Sequence, residues 1–101
     1  MQEVSILKNS PELTFALSGE IDSKNADEFE TAVLDAYRVS PCDIVFDCEQ
    51  LSFIDSTTLG AFVKILKHAR EGGHALKLVR LQPRIKKLFV ICALDAIMEI
   101  E

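Results

Sequence analysis

An apolar run followed at once by a hydroxyl-rich helix start constrains this chain more than any other feature. The run spans residues 42–48 and has few polar breaks, which is typical of a central strand covered by helices. Beyond it, apolar residues recur at the spacing of one helix face: Leu59, Phe62, Val63 and Leu66. The pattern predicts that the strand leads through a short loop, which places Asp55 and Ser56, into a helix from about Ser56 to Glu71 that stops at a Gly-Gly pair.

The N-terminal part of the sequence predicts a hairpin followed by a helix. Residues 4–9 and 13–18 alternate apolar and polar side chains around a turn cluster at residues 9–12, which is typical of two antiparallel strands. The helix should be capped by Asp22 or Ser23, because these side chains accept hydrogen bonds from first-turn N–H groups. Its buried stripe follows the spacing of a helix: Ala26, Phe29, Val33, Ala36 and Tyr37.

The C-terminal part predicts a further strand and a third helix. Residues 75–79 are mainly apolar, and Pro83 favours the first turn of a helix. The inner face of that helix should carry Ile85, Leu88, Phe89 and Cys92. Residues 94–101 fit either a short last strand or a frayed tail. The order of elements predicts an α/β fold: a mostly parallel or mixed sheet of four to five strands, entered by the N-terminal hairpin, with helices packed against it.

Length and hydropathy place the chain among small globular proteins. Its 101 residues fit one domain spanning residues 1–101, and hydrophobic residues make up 49% of the sequence, which is enough for a packed core. The apolar runs are too short to cross a bilayer, and Met1-Gln2-Glu3 leads directly into a strand pattern instead of a basic and apolar leader. We therefore expect a cytoplasmic protein with no membrane partner.

The cysteines argue against a disulfide framework and against a zinc site. They are odd in number and lack the paired spacing of metal-binding cysteines: Cys42, Cys48 and Cys92. Because Cys48 and Cys92 have apolar neighbours, we expect both to be small buried side chains.

Acidic and basic residues are distributed unevenly along the chain. Residues 1–63 carry three basic and twelve acidic side chains, whereas residues 64–101 carry eight basic and four acidic ones. The basic residues of the second part are Lys64, Lys67, Arg70, Lys77, Arg80, Arg84, Lys86 and Lys87. Nucleic-acid-binding domains are usually basic overall, but this chain has a net charge of −5. A solvated face, or an ionic contact surface for a protein partner, fits better than direct nucleic-acid binding.

The helix start at Asp55-Ser56 is the candidate functional site. A helix start has unpaired N–H groups and a partial positive charge, so a hydroxyl there could accept a phosphoryl group on a site that suits anions. The same residues also fit a plain N-cap, and the two roles are compatible. A hydrolase needs a base beside the serine, but His68 lies about 18 Å along the helix and His74 beyond its end. Without a Gly-rich loop or a Walker lysine, nucleotide or small-anion binding is a secondary alternative.

Three segments form a set of landmarks along the sequence. The first is Gly19-Glu20-Ile21-Asp22, the second is the apolar strand leading into Asp55-Ser56-Thr57-Thr58-Leu59-Gly60, and the third runs from Pro83 to Phe89. In order and spacing, over nearly the whole chain, they resemble the STAS domain, the fold of bacterial anti-sigma factor antagonists. That family has Gly-Glu-Leu/Ile-Asp, then Asp-Ser-Ser/Thr-Gly-Leu-Gly opening a helix, then Pro-x-Val/Ile-x-x-Leu-Phe.

The resemblance implies an interaction protein that is not an enzyme and needs no cofactor. Its partner would be an anti-sigma factor with serine kinase activity, which binds the unphosphorylated domain and releases it once Ser56 is phosphorylated. A phosphoserine phosphatase would be a second partner. The partner-binding and switch residues would be Asp22, Asp55, Ser56, Thr57, Thr58, Leu59 and Gly60. The alternative is a STAS sensor or scaffold that works without phosphorylation, or a nucleotide-binding interaction module.

Thr58 departs from the family's pattern, which usually has Gly at this position. A β-branched residue crowds the first helical turn and removes the backbone freedom of Gly. If the kinase must approach this backbone closely, phosphorylation of Ser56 should be less efficient, and Thr57 or Thr58 offers a hydroxyl for modification instead. The departure affects the expected switch and leaves the expected fold unchanged.

Overall fold

The computed structural model describes the backbone of residues 3–9 and the whole of residues 12–101. The turn predicted at residues 9–12 includes residues 10 and 11, which lie outside the described residues. Residues 1 and 2 also lie outside them, and the expectation that the chain has no leader rests on this segment. In the described part the elements are, in order, β1 (Glu3–Asn9), β2 (Glu12–Ile21), α1 (Ala26–Val39), β3 (Asp43–Ile54), α2 (Ser56–Glu71), β4 (Leu76–Val79), α3 (Pro83–Ile91), a 3-10 turn (Leu94–Ala96) and β5 (Glu99–Ile100).

The strands of the described chain form one sheet whose spatial order follows sequence order, β1-β2-β3-β4-β5. β1 pairs antiparallel with β2, whereas β2, β3, β4 and β5 run parallel to one another. The predicted mixed sheet with a hairpin at its entrance is therefore confirmed. α1, α2 and α3 each connect one parallel strand to its next neighbour, always in the same direction across the sheet. Because such crossover connections are right-handed, the three helices lie on the same face of the sheet.

Five phenylalanine rings from five elements join these helices to the sheet. Phe15 of β2 and Phe46 of β3 lie with their ring centroids 5.7 Å apart. Phe62 of α2 is the central ring, and its centroid lies 5.1 Å from Phe29 of α1, 5.2 Å from Phe46 and 5.4 Å from Phe89 of α3. All five side chains are buried. The helices thus share one core with the sheet.

The central strand is longer than its apolar run predicts. β3 continues to Ile54, so the residues between the apolar run and Asp55, where the sequence predicts a short loop, belong to the strand. β2 also continues past its predicted end, and two register shifts keep the strands paired. Because of these irregularities, Leu51 and Ile54 are both buried although an ideal strand would turn them to opposite faces. Asp55 alone separates the strand from α2.

The start of α1 also differs from its prediction. Its N-cap is Asn25, and neither Asp22 nor Ser23 caps it. The reason is that residues 22–25 form a turn, in which the Asp22 carbonyl oxygen accepts hydrogen bonds from the N–H groups of Asn25 at 3.1 Å and Ala26 at 2.8 Å. Asp22 and Ser23 thus lie before the helix, where Asp22 Oδ1 accepts a hydrogen bond of 2.9 Å from the Lys24 N–H within the turn.

At the C-terminus, α3 ends one residue before Cys92. The chain turns away there because Ala93 has a left-handed φ of 59°, so Cys92 is exposed and the prediction that it is buried is wrong. The same prediction is confirmed for Cys48, where burial raises the pKa of the thiol to about 12. Of the two alternatives for residues 94–101, the short last strand is the one found, and it follows the buried Met98.

Candidate functional site

The candidate site forms where β2 and β3 both end. The two strands are parallel and Ile21 of β2 pairs with Ile54 of β3, so the residues that follow them meet at one edge of the sheet. These residues are Asp22-Ser23 on one strand and Asp55-Ser56 on the other. The fold therefore brings together the two acidic segments that the sequence singles out.

Asp55 joins the two segments through its carboxylate. Oδ1 accepts a hydrogen bond of 3.0 Å from the Thr58 N–H, so the predicted N-cap of α2 is confirmed. Oδ2 accepts one of 3.0 Å from the Ser23 N–H across the loop. These donors, above all the Thr58 N–H, hold the pKa of the Asp55 carboxyl below its usual range. Asp55 is thus a charged cap at neutral pH.

Thr58 lies inside the site and not on its surface. Its side chain is 0% exposed, and its hydroxyl is within hydrogen-bonding distance of the Ile21 carbonyl oxygen and of Asp55 Oδ1. The hydroxyl thereby ties α2 to the end of β2, which Gly could not do. A kinase cannot reach Thr58 in the folded protein, so Thr57, which is exposed, is the accessible one of the two alternative acceptors.

Exposure divides the seven predicted switch residues into three groups. Three are exposed on α2: Ser56, Thr57 and Gly60. Two are partly buried, with carboxylates that accept hydrogen bonds from backbone N–H groups: Asp22 and Asp55. The last two are buried: Thr58 and Leu59. The buried pair supports the surface of the site from below, and the assignment of these two residues to the partner-binding and switch set stays a prediction.

Ser56 is the first residue of α2, and its side chain is open to solvent. Its hydroxyl makes no hydrogen bond to any residue that the structure describes. A partner or a modifying enzyme can therefore reach it without unfolding the helix. The preceding residue is the charged Asp55, so a phosphoryl group on Ser56 would lie beside a fixed negative charge.

Ser56 has no catalytic base in the described structure. His68 lies twelve residues later on the same helix, about 18 Å away at 1.5 Å per residue, and is exposed. His74 lies beyond the end of the helix, where its Nδ1 is 2.6 Å from the Tyr37 hydroxyl. Among the described residues, no group of three or more His, Cys, Asp or Glu side chains is arranged to hold a metal ion. Neither histidine is therefore placed to act as a general base for the Ser56 hydroxyl.

Two links that brace the site were missed at the level of sequence. Asn25 accepts a hydrogen bond from the Asp22 N–H at 2.8 Å and donates one to the Glu20 carbonyl oxygen at 3.0 Å, which closes the turn before α1. Ser52 donates its hydroxyl to the Gly19 carbonyl oxygen at 3.0 Å and so ties β3 to β2. No sequence signal marks either residue, because Asn in a turn and Ser near a strand end are common.

The basic residues of the second part of the chain do not form one patch. Several pair with acidic side chains on different elements: Lys64 with Glu30, Lys77 with Glu99 and Glu101, and Arg80 with Asp47 and Glu49. Five of them form no ion pair with any described residue: Lys67 and Arg70 of α2, and Arg84, Lys86 and Lys87 of α3. Unneutralised positive charge therefore lies on both helices, and three of these five cations belong to the short helix α3.

Replacing Thr58 with Val should lower the free energy of unfolding by about 1.5 kcal/mol. Val keeps the shape of the side chain but removes the buried hydroxyl that donates toward the Ile21 carbonyl oxygen. Urea unfolding followed by circular dichroism measures the change. Thr57→Val, at the exposed residue just before Thr58, is the matched control. It should change the free energy of unfolding by less than about 0.5 kcal/mol. Equal effects of the two substitutions would show that the buried hydroxyl does not stabilise the site.

Comparisons with known proteins agree with this architecture. The family model of the STAS domain matches residues 3–101. The anti-sigma-B factor antagonist of Listeria monocytogenes is 33% identical over 95 residues, covering 93% of this chain and 82% of that relative. Among solved structures, an anti-sigma factor antagonist from Mycobacterium paratuberculosis has a TM-score of 0.84 at 20% identity, covering 99% of this chain and 85% of that one. The Bacillus cell fate determinant SpoIIAA in its phosphorylated form has a TM-score of 0.75 at 19% identity, covering 100% and 91%.

The two solved structures show the fold of this chain. The family model and the Listeria relative show its family. The resemblance seen in the sequence is thereby confirmed, and so is the α/β fold that it implied. Within the described residues, the helices are all too short or too polar to cross a membrane.

Proposed function

This chain belongs to the STAS domain family, and we propose that it is an anti-sigma factor antagonist that binds an anti-sigma factor with serine kinase activity. Phosphorylation of Ser56 by that partner ends the binding and so regulates transcription that depends on a sigma factor. The observation that carries the proposal is the exposed Ser56 hydroxyl at the start of α2, beside the fixed charge of Asp55. The name of the Listeria relative supports the antagonist role.

The switch works through charge at the helix start. A phosphoryl group adds about −1.5 to −2 charges at pH 7. The N-terminus of α2 cannot fully neutralise them, because the Asp55 carboxylate already accepts from the Thr58 N–H. A partner that packs against the neutral hydroxyl would have to desolvate the new anion next to Asp55, and it therefore dissociates.

In this scheme the antagonist is bound, modified and released, and it catalyses nothing itself. It needs no cofactor, because the kinase partner supplies both the nucleotide and the catalytic groups. Removal of the phosphoryl group by a phosphoserine phosphatase restores binding. Since its partners act on bacterial transcription, we place the antagonist in the cytoplasm.

Intact mass spectrometry after incubation with the purified anti-sigma factor kinase and ATP tests the proposal. The antagonist should gain the mass of one phosphoryl group, mapped by peptide fragmentation to Ser56. Ser56→Ala should gain none and should still form the complex in gel filtration. Modification of Thr57 with Ser56 untouched would move the switch to that residue, and a stable complex without any modification would favour a binding module that is not switched by phosphorylation.

Gly60 is a second test of the partner surface, because the fold does not require it. It lies one turn after Ser56 on α2, and an added Cβ would meet no atom within 4 Å. Gly60→Ala should raise the free energy of unfolding by about 1 kcal/mol. It should also weaken anti-sigma factor binding about tenfold, because a methyl group then stands where the partner packs against the backbone.

Chemical unfolding and isothermal titration calorimetry measure these two effects of the Gly60 substitution. His68→Ala is the matched control, since it also places a strong helix former on the exposed part of α2 but far from Ser56. It should leave binding unchanged. Wild-type affinity of the Gly60→Ala variant would show that the partner does not contact this turn of α2.

A further inference from the structure

An apolar groove opens next to the site, between the end of β3 and α3. It has a volume of about 340 Å³ and is lined by Phe53 and Ile54 of β3 and by Leu88 and Ile91 of α3, together with the cations Arg84 and Lys87. The groove exists because β4 pairs only with residues 44–47 of β3. The second half of β3 therefore pairs with β2 only, and α3 lies next to its unpaired side.

The groove is held open by the fold and does not need a ligand to form it. Arg84 donates a hydrogen bond of 2.8 Å to the Ser52 carbonyl oxygen, which joins the start of α3 to β3 near its end. Ile85 and Phe89 are 1% and 0% exposed and anchor the helix in the core. Phe53 and Ile91, in contrast, are 46% and 68% exposed. Two large apolar side chains lining one preformed groove are typical of a surface that a partner covers.

The charge around the groove indicates what kind of partner segment fits it. α3 contains Arg84, Lys86 and Lys87 and no acidic residue, whereas the whole chain has a net charge of −5. None of these three cations forms an ion pair with a described residue. An occupant with apolar side chains flanked by carboxylates would fill the groove and neutralise the cations at the same time.

The position of the groove indicates which protein supplies that segment. Ile54 precedes Ser56 by two residues, so the groove begins about 7 Å from the switch serine. A stable protein complex covers about 800 Å² on each partner, a patch about 30 Å across. A partner that contacts Ser56 with an interface of ordinary size therefore reaches the groove as well.

We infer that the groove is a second docking point for the anti-sigma factor, and that it binds an acidic segment of that protein carrying apolar side chains. This inference rests on the proposed function, because the occupant is the same partner that reads Ser56. The groove supplies affinity that does not depend on phosphorylation, whereas Ser56 supplies the switch. Loss of the groove should therefore weaken binding and leave the phosphorylation site intact.

Two substitutions in the groove test this division of roles. Ile91→Ser should weaken binding of the purified anti-sigma factor about tenfold in isothermal titration calorimetry, and Lys87→Glu should do the same and reduce the dependence of affinity on salt. Both side chains are exposed, so folding should not suffer. The matched controls are Val39→Ser and Arg38→Glu at the end of α1, which lies at the opposite edge of the sheet. Both controls should bind as the wild type does.

The footprint of the partner on the isotopically labelled antagonist, measured by NMR, separates the possible outcomes. Shifted amide signals at both Ser56 and Ile91, with weakened binding of the groove variants, would support the inference. Signals that shift around Ser56 alone, with Ile91→Ser binding as the wild type does, would overturn the groove and leave the proposed function standing. Absence of any complex with the unphosphorylated antagonist would overturn the proposed function, and the assigned occupant of the groove with it.

Discussion

Replacing Ser56 with Asp should weaken binding of the anti-sigma factor about 100-fold, a loss of about 2.7 kcal/mol, while the antagonist stays folded. The new carboxylate lies next to that of Asp55, and the partner must desolvate both charges to pack against the start of α2. An acidic residue in the first helical turn is favourable for the helix itself, by a few tenths of a kcal/mol. The loss of binding therefore cannot be explained by unfolding.

Two further variants at Ser56 separate charge from size. Ser56→Asn has nearly the same shape as Ser56→Asp and no charge, so it should bind much more tightly than the Asp variant. Ser56→Ala removes the hydroxyl and should bind within about threefold of the wild type, because one solvent-exposed hydroxyl contributes little net free energy. Titration calorimetry at low and high salt compares all three. Equal weakening by Asn and Asp would show that steric fit, and not charge, controls the contact.

The parts of this structure that the sequence predicts well are those with local signals. The bounds of α2, Ser56–Glu71, agree with the prediction, because the cap, the apolar stripe and the Gly-Gly stop all lie within the helix or next to it. The central position of β3 also follows from its own apolar run. Such features need no knowledge of distant residues, so pattern and spacing are enough to find them.

The parts that the sequence does not predict depend on contacts between distant segments. Thr58 looks like an accessible hydroxyl in the sequence, but it is buried because the Ile21 carbonyl oxygen, 37 residues earlier, lies within its reach. The groove likewise depends on a length difference between two neighbouring strands, four residues in β4 against twelve in β3. Neither feature leaves a periodic pattern, so both appear only once strand register is known.

Thr58 replaces the Gly that the family usually has at this position, and the sequence alone predicts crowding of the first turn. In the structure the side chain points inward, where its hydroxyl is shared between the end of β2 and the Asp55 carboxylate. The surface around Ser56 is therefore not obstructed by this side chain, and the substitution adds an internal link between the two loops of the site.

Removing the carboxylate that holds those loops together should destabilise the protein clearly. Asp55→Ala deletes the acceptor of the Thr58 N–H and of the Ser23 N–H, so the free energy of unfolding at pH 7 should fall by about 2 kcal/mol. Asp55→Asn keeps one acceptor oxygen, so its free energy of unfolding should fall by about half as much. Urea unfolding measures both. Asp35→Ala is the control, because Asp35 is exposed and pairs with the equally exposed Arg38.

The pH dependence of this loss follows from the lowered pKa of the Asp55 carboxyl. In the unfolded chain an Asp carboxyl has a pKa of about 3.9, and in the folded protein the N–H donors lower it. The ionised form therefore stabilises the fold fully above the unfolded pKa, and that stabilisation is lost as the pH falls through the folded pKa. The stability difference between wild type and Asp55→Ala should shrink when urea unfolding is repeated between pH 7 and about pH 3. A difference that stays constant over this range would show that the charge of Asp55 does not hold the loops together.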